Sequence, residues 1–170
     1  PDEQGDDRLG LAGSSYQMLV SGVLAGRPPG VDLGLARGAP PLLRQAIAAG
    51  LLASAHDSSD GGLAVALAES SIASALGVEL KISGRSEGLA RTLFAEGGAR
   101  VAISVKAECR QQWDQLAAQS TVPITELGVV SNGSTFRIHC GEMDVQLSLA
   151  DLKRAHQEGL SRRIGGEAES

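Results

Sequence analysis

The stretch SAHDSSDGGLAVALAES, residues 54–70, carries the side chains best suited to chemistry in this sequence. Asp57 and Asp60 lie three residues apart, where a short apolar run meets an alanine-rich run, and Gly61 and Gly62 follow directly. A carboxylate at the end of a strand is a typical oxygen ligand for Mg²⁺. Free backbone N–H groups at the start of a helix bind phosphate. The pattern therefore predicts either a metal and phosphate site or a capped, buried helix.

The second interpretation makes Asp60 the N-cap of the following helix, with its carboxylate accepting from the N–H of Gly62 or Leu63. Two glycines in the first turn cost that helix roughly 1 kcal/mol each relative to alanine, so something must offset them. One explanation is the close approach of another backbone segment, and the other is an anion on the bare N–H groups. No Lys-Ser or Lys-Thr pair follows the glycines, as it would in a P-loop. Both explanations stay open at this point.

Other residues with reactive side chains form weaker patterns. His139 and Cys140 are adjacent, but two ligands do not make a zinc site. Ser58 and Ser59 lack the G-x-S-x-G context of a nucleophile elbow. Arg100 precedes a strand and suits either a phosphate or an ion pair at a sheet edge. We predict no catalytic residue in this chain.

Composition excludes several classes of function. The net charge is −5 and aromatic residues make up 2% of the 170 residues, the opposite of a nucleic-acid-binding surface. No apolar run approaches the length of about 18 residues that spans a membrane. The two cysteines, Cys109 and Cys140, form no C-x-x-C motif, which predicts free thiols in a reducing cytoplasm.

Periodicity predicts alternating helices and strands followed by a strand-rich stretch. Ser14 or Ser15 could cap a short helix that runs to Val20. Pro40 and Pro41 suit the first turn of a helix that ends near Ala49, and Asn132-Gly133 predicts a β-hairpin. The resulting class is α/β, or α+β, with a mixed sheet and helices on its faces. We expect a linker or disordered segment at 1–10, one domain at 11–160 and a disordered tail at 161–170. The predicted helices are 15–20, 40–49, 60–75, 87–94, 107–119 and 150–160, and the predicted strands are 53–56, 78–82, 101–105, 124–130, 136–138 and 145–149.

Two helices have instructive apolar patterns. The helix that ends near Ala49 carries an apolar stripe made of Leu42, Leu43, Ala46, Ile47 and Leu51. The helix from about Asp60 to Ala75 is rich in alanine and carries a single charge, Glu69, along its length. That composition predicts a helix buried close to a sheet.

Four stretches, in order, resemble the last of the four domains of phosphoribosylformylglycinamidine synthase, large subunit. The stretch at 54–70 is similar to that family's H-D-x-S-D-G-G-L-A-x-A-L-A-E segment. The stretch LAGSSYQMLVSGVLAGRPPGVDL resembles its G-G-S-x-Y and G-x-x-A-G-R-P-P-x-x-D-L elements, LFAEGGARVAISV its L-F-x-E-x-x-G-R-x-x-V-x-V, and ITELGVV its I-G-x-V strand. The resemblance runs from Leu11 to about Leu160.

The resemblance implies a three-layer α/β/α domain with a mixed sheet, like the C-terminal domain of aminoimidazole ribonucleotide synthetase. It implies a parent enzyme that converts formylglycinamide ribonucleotide to the amidine with ATP, Mg²⁺ and ammonia. The implied partners are two A-type domains of the same chain, a glutaminase subunit and a small accessory subunit. Within this arrangement the last B-type domain faces a pseudo-symmetric, auxiliary site, so we expect the isolated domain to be inactive and to hold neither ATP nor Mg²⁺.

The resemblance also assigns residues. Asp57 matches the strand-end aspartate of a metal-binding motif, and the phosphate or nucleotide candidates are Asp60, Gly61, Gly62, Glu96 and Arg100. One departure stands out, because Glu96-Gly97-Gly98 replaces the Glu-Ser-Gln of the substrate-binding domain. The loss of two polar side chains implies a scaffolding role.

Two alternatives accompany this interpretation. Selenophosphate, thiamine-phosphate and hydrogenase-maturation enzymes share this type of domain, but they need an A-type domain with acidic Mg²⁺ ligands, for which 170 residues leave no room. A pure interaction module without a small-molecule site is not separated from the synthase domain by sequence.

Overall fold

The structure, a computed structural model, describes residues 10–27, 29–82 and 86–165. The chain is a mixed α/β protein, as predicted, and its strands include both parallel and antiparallel pairs. The helices are α1 (Ser15–Ser21), α2 (Leu33–Ala48), α3 (Gly62–Ser74), α4 (Ser86–Phe94), α5 (Arg110–Ala118) and α6 (Leu149–Gly165), with a 3₁₀ turn at Ala107–Cys109. The strands are β1 (Leu52–Asp57), β2 (Gly77–Lys81), β3 (Val101–Val105), β4 (Gly128–Ser131), β5 (Thr135–Cys140) and β6 (Met143–Ser148).

The chain divides into two compact units. The first comprises Pro1–Leu67 and Glu87–Glu126, and the second comprises Ala68–Ser86 and Leu127–Ser170. In the first unit β1 pairs antiparallel with β3. Its core joins α2 and α5 to the start of β1 through buried Leu42, Ala46, Leu51 and Trp113.

Helix α2 begins earlier than predicted. Asp32 is its N-cap, and the Asp32 Oδ1 atom accepts a hydrogen bond from the N–H of Leu35 at 3.0 Å. Pro40 and Pro41 therefore lie inside the helix, and their predicted place in its first turn is wrong. Each proline removes one helical N–H donor, a cost that the buried residues of the same helix offset. Ile47, predicted to be part of the apolar stripe, is exposed.

The second unit contains a four-stranded mixed sheet in the order β4-β2-β5-β6. Strand β2 is parallel to β5 and antiparallel to β4, while β5 and β6 are antiparallel. Alternate residues are buried, as the sequence predicted for 78–82, so one face of the sheet supplies the core of this unit. Its buried members are Val78, Leu80, Ile82, Phe136, Ile138 and Cys140.

The predicted hairpin at Asn132-Gly133 is wrong. Strand β2 lies between β4 and β5, so the segment that joins β4 to β5 connects two strands that are not neighbours. Gly77, at the start of β2, permits this arrangement, because a Cβ atom there would lie 2.6 Å from the carbonyl oxygen of Thr135 and 2.8 Å from that of Gly133. Strand β4 also begins only at Gly128, four residues later than predicted.

Helix α3 is buried or half-buried from Gly62 to residue 72, as its alanine-rich sequence predicted. Helix α6 continues to Gly165, past its predicted end near residue 160 and into the range expected to be a disordered tail. Residues 1–9 of the expected linker and residues 166–170 of the expected tail lie outside the described residues. Among the helices that the structure describes, none combines the length and apolar character needed to cross a membrane.

Candidate functional site

Two loops that carry predicted site residues meet at one end of the β1–β3 ladder. Asp57, the last residue of β1, is paired with Val101, the first residue of β3, because the two strands are antiparallel. Beyond the ladder, the N–H of Ser58 donates to the carbonyl oxygen of Arg100 at 2.9 Å. The strand pairing therefore brings the 57–62 loop next to the 95–100 loop.

Glu96 connects these loops to the start of α1. Its Oε1 atom accepts from the N–H of Gly61 at 2.6 Å and from the N–H of Ser15 at 2.8 Å. Partial burial raises the pKa of Glu96, but the hydrogen bonds from Gly61 and Ser15 outweigh it, so the pKa lies below its ordinary value. The chain thus places its own carboxylate on the free N–H groups at two helix starts, the position that an external anion would occupy.

Asp60 does not cap α3, and that prediction is wrong. The helix begins two residues later, at Gly62, and the N–H of Gly62 donates to the carbonyl oxygen of Ser59 at 2.9 Å. Gly61 and Gly62 have φ angles of 78° and 70°, in the left-handed region, so the chain turns sharply between Asp60 and the first helical turn. Asp60 itself is exposed.

The close approach of another backbone explains Gly62. A Cβ atom there would lie 2.7 Å from the carbonyl oxygen of Leu93, 2.8 Å from the carbonyl carbon of Phe94 and 2.9 Å from the carbonyl oxygen of Ala95. Of the two explanations left open by the sequence, internal packing is the one observed at this position. At Gly61 the nearest obstacle is the side chain of Val65, in the first turn of the same helix.

The guanidinium of Arg100 is directed at backbone carbonyls. Its Nη1 atom donates to the carbonyl oxygen of Thr92 at 3.0 Å, and its Nη2 atom donates to that of Ala95. These bonds replace the sheet-edge ion pair that the sequence suggested. Burial lowers the pKa of Arg100. The buried Nε atom of Arg100 and the buried Oγ atom of Ser58 have no hydrogen-bond partner within the part of the chain that the structure describes.

Asp57 is exposed at the end of β1. The hydroxyl of Ser59 donates to its Oδ2 atom, and this hydrogen bond is the main reason that the pKa of Asp57 lies below its ordinary value. An ionised, accessible carboxylate is suited to Mg²⁺. No group of three or more His, Cys, Asp or Glu side chains arranged to hold a metal occurs among the described residues. Among the described residues Asp57 could therefore offer Mg²⁺ a single carboxylate, and any further ligands would have to come from elsewhere.

His139 and Cys140 do not form a pair of metal ligands. Neighbouring residues of a strand point to opposite faces of the sheet, and Cys140 is buried in the core of the second unit. His139 instead lies beside acidic side chains of adjacent strands, with Nδ1 3.3 Å from Asp144 Oδ1 and Nε2 3.7 Å from Glu79 Oε1.

Sequence reasoning did not foresee how α1 is joined to this site. It did predict a cap at Ser14 or Ser15, and the Oγ atom of Ser14 accepts from the N–H of Gln17 at 3.1 Å. It missed the stacked rings of Tyr16 and Phe94, whose centroids are 4.8 Å apart. The N–H groups of the first helical turn have no partner within the helix, which indicates that an acceptor must lie nearby. No local sequence pattern identifies that acceptor as Glu96.

A family profile described as "AIR synthase related protein, C-terminal domain" matches residues 5–141. The chain belongs to this family. It is 88% identical, over all 170 of its residues, to the "Phosphoribosylformylglycinamidine synthase subunit PurL" of Parasynechococcus marenigrum (strain WH8102), and covers 22% of that protein. It is 52% identical over 168 residues to the protein of the same name from Synechococcus sp. (strain WH7803), covering 96% of this chain and 22% of the relative. The chain thus spans about a fifth of the length of these curated relatives.

Solved structures show the same fold. The PurLQS structure from Thermotoga maritima matches with a TM-score of 0.58 at 15% identity, covering 84% of this chain and 25% of that one. PurL of T. maritima complexed with ATP matches with a TM-score of 0.53 at 16% identity, covering 66% of this chain and 20% of that one. At these identities the likeness concerns the fold.

Proposed function

We propose that this chain is the C-terminal domain of a phosphoribosylformylglycinamidine synthase large subunit, an enzyme of purine biosynthesis. The observation that supports this most directly is the 88% identity, over the whole chain, to a relative with that name. The complete enzyme would convert formylglycinamide ribonucleotide to the amidine in an ATP-dependent reaction, with ammonia derived from glutamine. Its partners would be the A-type domains of the same polypeptide, a glutaminase subunit and a small accessory subunit, in the cytoplasm.

Within that enzyme the domain is mainly structural. Glu96 accepts hydrogen bonds from two backbone N–H groups, and the guanidinium of Arg100 donates to two backbone carbonyls. The Oε1 atom of Glu96 and the two terminal nitrogens of Arg100 are thus engaged by the backbone of this domain, although the Nε atom of Arg100 is not. Gly97 and Gly98 add no polar side chain to the same loop. The domain therefore supplies no catalytic residue and completes the pseudo-dimer of the parent chain.

A residual binding role belongs to Asp57. We infer that it contributes one carboxylate to an Mg²⁺ ion held mainly by the phosphates of a nucleotide and by acidic residues of another domain, in an auxiliary cleft. Its exposure and its lowered pKa support this role. Magnesium commonly takes only one or two protein carboxylates beside phosphate oxygens and water. Asp60, Gly61 and Gly62 would border the cleft, with the N–H of Gly61 already hydrogen-bonded to Glu96.

The test uses the complete large subunit that contains this sequence, assembled with its glutaminase and accessory subunits. Asp57→Asn removes the charge and keeps the shape, and Asp114→Asn, an exposed aspartate of α5, is the matched control. We expect both variants to keep synthase turnover within a few-fold of the unsubstituted enzyme. We expect only Asp57→Asn to weaken Mg²⁺-dependent nucleotide binding at a site that is not turned over, measured by equilibrium dialysis.

Three outcomes would change this assignment. Loss of turnover in a folded Asp57→Asn enzyme would make Asp57 part of the catalytic site. Absence of a second nucleotide site in the unsubstituted enzyme would favour the pure interaction module. Robust Mg²⁺-dependent ATP hydrolysis by the 170-residue chain alone, abolished by Asp57→Ala, would contradict the structural role.

A further inference from the structure

The first unit contains an apolar segment without charge, residues 11–26, which includes α1. Its sequence, LAGSSYQMLVSGVLAG, has no Asp, Glu, Lys, Arg or His. The large apolar side chains that it exposes are those of Met18, Leu19, Val20, Val23 and Leu24, and that of Leu19 is 76% exposed. Exposed apolar side chains this close together in the sequence are typical of an interaction surface.

The apolar segment closes on itself through the amide of Gln17. The Gln17 Oε1 atom accepts from the N–H of Gly13 at 2.9 Å and from the N–H of Ala25 at 3.1 Å. Its Nε2 atom donates to the carbonyl oxygen of Ala25 at 2.9 Å. The end of the segment returns to its beginning, because a Cβ atom at Gly26 would lie 2.9 Å from the Cβ of Ala12.

The same segment is fastened to the first unit by polar and aromatic contacts. The N–H of Ser15 donates to Glu96, and the ring of Tyr16 stacks on that of Phe94. The backbone that carries the exposed side chains of Met18 to Leu24 is therefore held by contacts at both ends of the segment. A surface that is ordered before it binds loses less conformational entropy on association than a flexible one.

We propose that the exposed side chains of Met18, Leu19, Val20, Val23 and Leu24 form a docking face that packs against an uncharged apolar face of another domain of the same polypeptide. The inference rests on the proposed function, in which this chain is one domain of a longer subunit. The relatives are about five times as long as the chain, so a large amount of protein is available to cover this face. The absence of charge from residues 11–26 favours an apolar partner face over a charged one.

The experiment measures how fast a thiol reagent labels cysteines placed in the complete subunit. Leu19→Cys and Val23→Cys lie on the proposed docking face. Ile47→Cys lies on α2, outside the apolar segment, where Ile47 is 58% exposed, close to the 57% of Val23. The unsubstituted subunit gives the background from its own cysteines. Each rate is compared with that of the same variant unfolded in denaturant.

We expect Leu19→Cys and Val23→Cys to react more than about tenfold more slowly in the native subunit than when unfolded, because accessibility controls thiol labelling. We expect Ile47→Cys to be slowed much less. Slow labelling must persist on dilution, since the partner face belongs to the same chain. Labelling at the docking face as fast as at position 47 would overturn the proposal. So would protection that disappears on dilution, which indicates a second copy, or protection that needs added lipid vesicles.

Synthase activity of the unsubstituted subunit, assayed together with its partner subunits, distinguishes failure of the docking proposal from failure of the proposed function. An active subunit with rapid labelling at positions 19 and 23 refutes the docking face and leaves the proposed function standing. A protected face in a subunit without synthase activity refutes the proposed function and leaves the docking face standing.

Discussion

The Oε1 atom of Glu96 lies 2.6 Å from the backbone nitrogen of Gly61, which precedes it by 35 residues in the chain. The same oxygen accepts from the N–H of Ser15, the first residue of α1. One carboxylate thus serves the N-terminal ends of α1 and α3, where helix dipoles favour negative charge. The anion that the glycines at the start of α3 suggested is, in this domain, a side chain of the chain itself.

Removal of the Glu96 carboxylate should destabilise the domain. We expect Glu96→Ala to lower the free energy of unfolding by about 1–2 kcal/mol, the range for a lost helix cap or a hydrogen bond to a charged group. Glu96→Gln keeps an acceptor oxygen and should cost less. Asp60→Ala is the control, since Asp60 is exposed and α3 begins beyond it, and its effect should stay within about 0.5 kcal/mol. Denaturant unfolding of the 170-residue chain checks all three, and a larger effect at Asp60 would restore that residue as the cap.

The same carboxylate should make stability depend on pH. The folded-state pKa of Glu96 lies below its ordinary value, because hydrogen bonds from Gly61 and Ser15 outweigh the opposing effect of burial. The unfolded state therefore binds the proton first as the pH falls, so the contribution of Glu96 is complete above the unfolded pKa and is lost as the pH falls through the folded pKa. The difference in unfolding free energy between the unsubstituted chain and Glu96→Gln should be constant near neutrality and shrink in acid. A difference that grows in acid would show that the sign is wrong.

Gly62 should tolerate no side chain. A Cβ atom there meets the backbone of residues 93–95, and the φ angle of 70° is unfavourable for any L-residue. We expect Gly62→Ala to cost about 2 kcal/mol or more, from left-handed strain and overpacking together. Gly88, in α4, is the matched control because nothing lies within 4 Å of its Cβ position, so Gly88→Ala should stabilise by about 0.5–1 kcal/mol. Equal effects at the two glycines, measured by thermal unfolding, would contradict the close approach at Gly62.

Local sequence patterns correctly predicted features that depend on residues close together in the chain. The alternation of Val78, Leu80 and Ile82 with polar residues located β2 and its buried face. A helix cap was predicted at Ser14 or Ser15, and Ser14 is the observed cap. The carboxylate at the start of α3 was misassigned because the local rule for helix caps selects Asp60. The observed acceptor is Glu96, which lies 35 residues from Gly61 in the chain. The order of strands was equally inaccessible, because strand pairing depends on contacts that are distant in sequence.

The position of β2 between β4 and β5 gives a sharp test of the sheet. In the predicted hairpin, Gly133 would need a left-handed conformation, whereas Gly77 would be an ordinary strand residue. In the structure Gly133 is outside the left-handed region and the closest neighbour of its Cβ position is the Ser131 hydroxyl oxygen at 3.4 Å. Gly77, by contrast, lies against the carbonyl oxygens of Thr135 and Gly133.

We therefore expect Gly77→Ala to lower the free energy of unfolding by about 1–3 kcal/mol, because a methyl group there must push the 133–135 backbone away. Gly133→Ala should change stability by less than about 0.5 kcal/mol, as at an ordinary exposed position. Both variants are measured by denaturant unfolding of the same chain, and backbone amide exchange at residues 128–131 and 135–140 shows whether β4 and β5 have moved. The reverse ranking, with Gly133→Ala the more damaging, would mean that β4 and β5 pair directly and that β2 does not separate them.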